Sequence, residues 1–184
     1  MDNLLLSQLV YTRISHDLAG SVGAIYNGTE LLVEDLSFAQ ESGNLIKNSA
    51  EMLMARLRFF RQTFGLPKDD EDTTADYLKT FSMPFSLNGG CLDNLQRALV
   101  MVLTDYFYRG ADFNLTEKAI IAHGPAFKDI SCLEVLLQDG KGDKTAANAP
   151  AFYAYCLAKQ QHVRLNVFER DNSVEIRLDL DANS

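Results

Sequence analysis

The N-terminal stretch of this chain carries an apolar pattern that sets the fold of its first third. Apolar or small side chains recur there in alternating steps of four and three residues, at Tyr11, Ile14, Leu18, Val22, Ile25, Thr29 and Leu32. On an α-helix this spacing draws one continuous stripe along the surface. The pattern therefore predicts a helix over residues 2–34 with a buried seam along its length.

A second stripe with the same spacing follows in the chain. It consists of Ile46, Ala50, Leu53, Leu57, Phe60 and Phe64, and a neighbouring row adds Leu45, Met52 and Phe59. Ser37 and Gln40 are predicted to form a capping box at the start of this second helix. Gly65 and Pro67 are predicted to end it. The first part of the chain is thus predicted to be an antiparallel helical hairpin over residues 1–68.

The apolar arcs of the two predicted helices are too wide for a hairpin of two helices to bury by itself. Pairing with the same hairpin of a second copy would enclose them in a dimeric four-helix bundle, which is a closed symmetric solution. The alternative cover is the remainder of the same chain. Of the two, we predict the homodimer.

A charged segment over residues 67–76 separates the hairpin from a region of mixed pattern over residues 77–184. Residues 77–85 have no clear period and are compatible with a short strand. The further predicted elements are a helix over 89–108, a strand over 114–123, a short helix over 130–140, a helix over 151–161 and a hairpin of strands over 163–169 and 174–180. The predicted fold class is α+β, in which the helical hairpin precedes a small α/β sandwich with helices on one face of its sheet.

Charge and hydropathy exclude several classes of function. The formal net charge is −8, which opposes binding to nucleic acid or to an anionic membrane surface. The N-terminal leucines have no basic flank and no run of about 20 apolar residues occurs, so we expect neither a signal peptide nor a membrane span. Cys91, Cys132 and Cys156 are widely spaced and odd in number, which indicates reduced core thiols in a cytoplasmic protein.

His16 lies on the first helix but off its seam. It is two residues, or about 200° of helix rotation, from both Ile14 and Leu18. The chain's two other histidines have no metal-ligand spacing to it, so we expect no metal site. The side chain of His16 is therefore predicted to face away from the buried stripe.

Glycines accompany His16 on its own helix face, where Gly20, Gly23 and Asn27 follow at steps of four, seven and eleven residues. Each glycine inside a helix costs about 1 kcal/mol relative to alanine. One explanation is that side chains are absent so that another molecule can approach His16 closely. The other is that these glycines and Gly28 permit tight packing between helices or break the helix.

Arginines are predicted to lie at the height of His16. Folding the hairpin at its turn places His16 opposite residues 56–62, which include Arg56, Arg58 and Arg61. Arg13 lies three residues before His16. A cluster of guanidinium groups suits a phosphoryl group or an acidic partner. The alternative is that these are solvated side chains whose stems cover apolar surface.

The first helix resembles that of a family of phosphotransfer proteins. The motifs that carry the resemblance are His16-Asp17-Leu18, Gly23-Ala24-Ile25, Asn27-Gly28 and Glu30-Leu31-Leu32. A histidine with a following acid on a dimerising hairpin, before an α/β domain, resembles the core of sensor histidine kinases. The chain is more closely similar to the histidine phosphotransferases of the ChpT type from alphaproteobacteria, and residues 149–157 also resemble that family's last helix.

This resemblance covers nearly the full chain and implies a cytoplasmic dimer that relays phosphoryl groups between receiver domains. It implies a C-terminal domain like a degenerate histidine-kinase ATPase domain. One departure is Ala19-Gly20 after the histidine motif, where the family has a bulkier or proline-containing step. The surface beside His16 is barer as a result, and partner choice could differ.

An ATP site is not expected in the second region. A kinase would need a central asparagine on the 89–108 helix, but residues 99–103 are all apolar and Asp105 is its central polar residue. The Asp139-Gly140-Lys141-Gly142 stretch is better explained as the end of a helix, and no other glycine-rich loop could cradle phosphates. We therefore expect no intrinsic cofactor and no autophosphorylation.

Imidazole chemistry then suggests a mechanism. The unperturbed pKa of histidine is about 6.5, so a neutral ring is an available nucleophile near pH 7. His16 would accept a phosphoryl group from a receiver aspartate and pass it to a second receiver, with Mg²⁺ supplied by the receiver. Asp17 would bond the ring, and Arg13 with one of the three arginines of the second helix would balance charge. The alternative function is a non-catalytic dimeric scaffold that binds receivers or kinases.

Overall fold

Two long antiparallel helices precede a mixed five-stranded sheet with its own helices. The computed structural model describes residues 2–65, 72–88, 92–107, 110–125 and 127–180. The hairpin consists of α1 (Asn3–Glu34), a 3-10 turn (Leu36–Phe38) and α2 (Ala39–Phe64). Both predicted helices are confirmed. Gly65 follows α2 as its C-cap, whereas Pro67 lies outside the described residues.

The predicted capping box of Ser37 and Gln40 is wrong. The carboxylate of Asp35 accepts a hydrogen bond from the Ser37 backbone nitrogen at 2.8 Å. That bond starts the 3-10 turn, which continues directly into α2 after Phe38 with no side-chain cap. The side chain that stabilises the chain reversal is therefore that of Asp35, two residues before the predicted Ser37.

The second region alternates helices and strands. Its elements are α3 (Thr74–Lys79), β1 (Phe85–Asn88), α4 (Asn94–Tyr106), β2 (Asp112–Thr116), β3 (Ala119–His123), α5 (Ser131–Asp139), α6 (Ala149–Gln160), β4 (Val163–Arg170) and β5 (Ser173–Leu180). The strand order is β1-β2-β3-β5-β4. β1 pairs with β2 in parallel, and the other neighbours are antiparallel. The α+β class and the C-terminal strand hairpin are confirmed.

Two segments differ from the sequence pattern. Residues 77–85, which were compatible with a short strand, contain the second half of helix α3 with the buried Tyr77 and Leu78, and strand β1 begins only at Phe85. The single strand predicted over 114–123 is two strands, because the chain turns after Thr116. The Thr116 hydroxyl accepts a hydrogen bond from the Ala119 backbone nitrogen at 3.0 Å. A hydroxyl that bonds the backbone nearby favours a turn.

The hydrophobic core sits between one face of the sheet and helices α4, α5 and α6. Residues 95–104 of α4 are buried on every side of the helix. The same cluster extends to the hairpin, where it includes Phe59 and Phe60 and is packed against by Leu6, Ile14 and Leu18. This end of the hairpin is thus covered within the chain. For this end, cover by the remainder of the same chain, which was the alternative to a second copy, is what the structure shows. The division of the chain into domains over residues 1–68 and 77–184 remains a prediction.

The predicted seam of α1 is only partly buried. Ile14, Leu18 and Ile25 are half-buried, but Tyr11 is 73% exposed and Val22 53% exposed. The reason is that α1 packs against both α2 and α6. These two contacts rotate its buried sector away from Tyr11 and Val22, toward the side that carries Ser21 and Gly28.

The described cysteines differ from the expectation of core thiols. Cys132 is exposed and Cys156 is half-buried, and both are free thiols. Cys91 lies outside the described residues. Within the parts of the chain that the structure describes, none of the helices combines the length and the apolar character needed to cross a membrane.

Candidate functional site

His16 stands on the solvent side of α1, where its helical phase predicts it. Its side chain is 84% exposed. The ring nitrogen Nδ1 lies 3.3 Å from Oδ1 of Asp17. Nε2 has no hydrogen-bond partner among the described residues. A neutral ring whose Nδ1–H faces the carboxylate would keep its Nε2 lone pair free for an incoming electrophile.

Asp17 is held by an arginine on the preceding turn of the same helix. Arg13 donates from Nε to Oδ2 of Asp17 at 2.7 Å. The second guanidinium edge of Arg13 donates to Oδ1 of Asp105, in the last turn of α4, at 2.6 Å. The three side chains are only 13%, 16% and 29% exposed for Arg13, Asp17 and Asp105. Arg13 therefore ties the turn that bears His16 to the second region.

Burial and charge act against each other in this cluster. Burial raises the pKa of Asp105 above its usual range, and its hydrogen bond and ion pair with Arg13 oppose that rise. Burial lowers the pKa of Arg13, but the carboxylates of Asp105 and Asp17 more than offset it, so the net shift is upward. Arg13 thus stays charged between two carboxylates.

Arg56 is the member of the α2 arginine group that contacts α1. One terminal nitrogen donates to the backbone carbonyl of Asp17 at 2.9 Å, and Nε donates to the Thr80 hydroxyl at 3.3 Å. Its guanidinium also lies 4.8 Å from the centre of the Phe81 ring. Both Arg13 and Arg56 therefore have hydrogen-bond partners within the chain, and neither is simply a solvated side chain.

Arg58 and Arg61 lie elsewhere on α2. Arg58 lines a groove of about 660 Å³ between α2 and α3, together with Met54, Lys79 and Thr80. Arg61 is exposed in the last turn of α2. Neither side chain forms a hydrogen bond or an ion pair with a residue of α1, which is described over its whole length. The predicted cluster of arginines at the height of His16 thus consists of Arg13 and Arg56.

The glycines of α1 fall into two groups. A Cβ atom on Gly20 or Gly23 would meet nothing within 4 Å, whereas one on Gly28 would lie 2.7 Å from Cγ1 of Ile46. Asn27 is exposed on the His16 face. Gly28 therefore serves close packing of α1 on α2, and α1 continues unbroken through all three glycines. The packing explanation holds for Gly28, and the open surface needed for the access explanation exists at Gly20 and Gly23.

The residues considered for an ATP site have other contacts here. Asp105 pairs with Arg13, and Asp139 pairs with Lys141 at 3.2 Å. Gly140 ends α5 in a left-handed conformation with φ of +62°, and a Cβ there would collide with the Tyr155 ring. This stretch is therefore a helix end packed on α6, as predicted.

Asp105 is the site residue whose role the sequence did not reveal. From the sequence it is only a polar position on the 89–108 helix, and it is 92 residues from Arg13 in the chain. A buried charge needs a partner. This rule predicts that Asp105 has a partner, but it does not identify Arg13 as that partner. Across the described residues no group of three His, Cys, Asp or Glu side chains is arranged to hold a metal ion.

Comparison with known proteins was made at the level of sequence and of structure. No family model and no curated protein matches the chain. A solved structure described as a bacterial phosphotransferase matches with a TM-score of 0.82 and 22% identity, over 97% of this chain and 98% of that chain. The chain therefore shares that protein's fold, and at this identity the likeness shows the fold alone.

Two histidine kinases are more distant matches. They are the Erythrobacter litoralis blue-light activated kinase EL346 and the Acinetobacter baumannii kinase AdeS. Each has a TM-score of 0.34 and 12% identity over 92% of this chain, covering 61% of EL346 and 98% of AdeS. Scores of this size support no argument about the present chain.

Proposed function

We propose that this chain is a cytoplasmic histidine phosphotransferase of the ChpT type. In this proposal it carries a phosphoryl group on His16 between aspartates of receiver domains in a two-component phosphorelay. The observation that carries the proposal is an exposed imidazole that faces a fixed carboxylate on a helix face bare of side chains at Gly20 and Gly23. The fold shared with a bacterial phosphotransferase is consistent with it.

The transfer step uses the geometry of the His16–Asp17 pair. The Nε2 lone pair attacks the phosphorus of an aspartyl phosphate, and the P–O bond to the aspartyl oxygen breaks. The bonding electrons leave with the receiver carboxylate. The phosphorylated ring keeps its Nδ1 proton and is therefore positively charged, and the Asp17 carboxylate would stabilise this charge. The reverse step on a second receiver breaks the P–N bond and regenerates neutral His16.

Most of the remaining requirements fall on the receiver. It would supply the aspartate and its own Mg²⁺, since phosphoryl transfer depends mainly on positioning and charge neutralisation. The open surface at Gly20, Gly23 and Asn27 would accept loops of the receiver. Arg58 and Arg61, which are exposed on α2, would dock its acidic surface. ATP plays no part in this scheme.

A homodimer is the second part of the proposal. The outer side of the hairpin exposes large apolar residues on both helices, at Tyr11, Val22, Tyr26, Val33, Met54 and Leu57. Exposed apolar surface of this extent is typical of an interaction site. A second hairpin packed on it would complete a four-helix bundle. Light scattering on a sizing column tests this part, and a monomer at micromolar concentration would contradict it.

The experiment that tests phosphotransfer follows a labelled receiver. A receiver phosphorylated with radioactive acetyl phosphate and freed of the reagent is mixed with wild type, with His16→Ala or with the matched control His123→Ala. His123 is a second exposed histidine, at the end of β3. We expect wild type and His123→Ala to take the label in an acid-labile, base-stable form, and His16→Ala to take none. Equal labelling of all three proteins would refute the proposal.

A non-catalytic dimeric scaffold is the competing function. It shares the exposed apolar side of the hairpin and would bind receivers or kinases without carrying phosphate. In the same assay a scaffold would bind the receiver, detectable by calorimetry, yet leave the label where it was. Wild-type protein that binds but takes no label would therefore favour the scaffold.

A further inference from the structure

The contact between Arg13 and Asp105 joins the helix that bears His16 to helix α4 of the second region. Arg13 uses its two guanidinium edges for two different carboxylates, Nε for Asp17 and a terminal nitrogen for Asp105. A guanidinium is planar and its donors are fixed in a fork. Fixing one edge on Asp105 therefore fixes the direction in which Nε points.

This division leaves one oxygen of Asp17 for the histidine. Arg13 takes Oδ2 of Asp17, and Oδ1 of the same carboxylate lies 3.3 Å from Nδ1 of His16. Arg56 holds the Asp17 carbonyl in place from the other helix. A carboxylate that accepts from Nδ1 selects the ring form with the proton on Nδ1 and an unprotonated Nε2.

Loss of Asp105 would change how Arg13 binds Asp17. Arginine binds a single carboxylate preferentially with two parallel hydrogen bonds. Without its second partner, the Arg13 fork can turn onto Asp17 and engage both of its oxygens. Oδ1 would then be shared between Arg13 and His16, which weakens its contact with Nδ1 and lets the ring rotate and move its proton to Nε2 more readily.

We propose that Asp105 is a positioning residue for His16, which acts through Arg13 and Asp17 to keep Nε2 unprotonated and available. The consequence for transfer rests on the phosphotransferase function proposed above, whereas the effect on the ring does not. The second region is then part of the transfer site, since its α4 helix sets the state of a histidine on α1.

The first measurement is the protonation state of the His16 ring. Nitrogen-15 labelled histidine in the full chain reports which ring nitrogen carries the proton, at a pH near 8 where an ordinary imidazole is neutral. The resonances of His16 are identified by their loss in His16→Ala. We expect the Nδ1–H form to dominate in wild type and the Nε2–H form to gain in Asp105→Ala. Asp105→Asn, which keeps the side-chain shape, should shift in the same direction.

The matched control is Asp139→Ala. It removes the same charge from an exposed pair with Lys141, in a different helix. We expect its His16 ring to match wild type. Thermal unfolding by circular dichroism confirms that each variant is folded. An unchanged proton position on His16 in every folded variant at position 105 would overturn the proposal.

The second measurement is the rate of label transfer from the phosphorylated receiver. We expect Asp105→Ala to lower the maximal transfer rate about tenfold, a part of what a positioned acid–base partner supplies, and to leave the receiver concentration at half-maximal rate unchanged. In an Asp17→Ala background the same substitution should have no further effect. Effects that multiply in the double variant would overturn the proposal, because Asp105 would then act by another route.

The two measurements separate the two proposals. If wild type transfers label but Asp105→Ala leaves the His16 ring unaltered, the positioning role is refuted and the transfer function stands. If labelling of the protein does not depend on His16 but the ring responds to Asp105→Ala, the transfer function is refuted and the positioning role is supported.

Discussion

The helical hairpin has an inner side that the rest of the chain covers and an outer side that it does not. On the inner side Phe59 is fully buried and stacks on Tyr77 with ring centroids 3.8 Å apart. On the outer side Tyr11 and Val22 remain exposed. Both sides carry large apolar residues at helical spacing. An apolar stripe therefore predicts burial but does not show which surface covers it.

The same contrast exists within the site. Asp17 and Arg13 lie inward and are tied to α2 and α4, whereas His16, one residue from Asp17, lies outward. A fixed acid therefore stands beside an accessible ring. We infer that the inner side sets the chemistry of the histidine, and that the open face of α1 around His16, Gly20 and Gly23 sets which molecules reach it.

Among the substitutions that test this difference between the two sides, Phe59→Ala is expected to lower the unfolding free energy most. Removal of a fully buried aromatic ring costs about 3–5 kcal/mol of unfolding free energy, since the stacked Tyr77 loses its partner and a cavity remains. Urea denaturation followed by circular dichroism measures this loss.

Leu57→Ala is the matched outer-side variant, two residues away on the same helix. Leu57 is 40% exposed in the single chain, so its truncation should cost less than about 1 kcal/mol of unfolding free energy. We expect it instead to weaken self-association in light scattering. Equal losses of unfolding free energy for the two variants would contradict the distinction between the sides.

Local signals in the sequence predicted the elements whose periodicity is long or whose ends are marked. Helix α1, helix α2 and the C-terminal strand hairpin were found because each has a sustained period or a turn signal. The turn at Thr116 was missed because a single hydroxyl, rather than glycine or proline, makes it. Helix α3 was missed because six residues are too few to show a helical period.

The candidate site divides in the same way. The outward direction of His16 follows from helix geometry alone. The partners of Arg13 do not, since Asp105 reaches it only through tertiary packing of α1 on the second region. Phase within one helix is encoded locally, whereas contact between elements 92 residues apart depends on how the whole chain packs.

The second prediction concerns Gly28, on the inner side of α1. A methyl group there would overlap Ile46 and approach the Ser42 carbonyl, so the Ile46 side chain or the helices themselves must shift. Overpacking costs typically 1–3 kcal/mol and the helix propensity of alanine returns about 1 kcal/mol. Gly28→Ala should therefore lower the unfolding free energy by about 1 kcal/mol, measured by urea denaturation. A stabilised Gly28→Ala would contradict close packing as the reason for this glycine.

The last substitutions should stabilise the fold, and they lie on the face of α1 that carries His16. Gly20 and Gly23 have space for a methyl group, so Gly20→Ala and Gly23→Ala should each raise the unfolding free energy by up to about 1 kcal/mol through helix propensity. Denaturation midpoints measure this gain. Gly20 and Gly23 would then lower the unfolding free energy without improving packing within the chain. We infer that another molecule, which binds at this face, requires them.

Transfer of label to the glycine variants decides whether that requirement is access to His16. If receiver loops contact the bare surface, Gly20→Ala and Gly23→Ala should slow phosphotransfer while stabilising the fold, and the receiver concentration at half-maximal rate should rise. Gly43→Ala is the control, because Gly43 on α2 also has open space at its Cβ position and should gain stability with no change in transfer. Full transfer rates in the Gly20 and Gly23 variants would show that methyl groups on the His16 face of α1 do not hinder the receiver, and would leave these glycines without a role in receiver access.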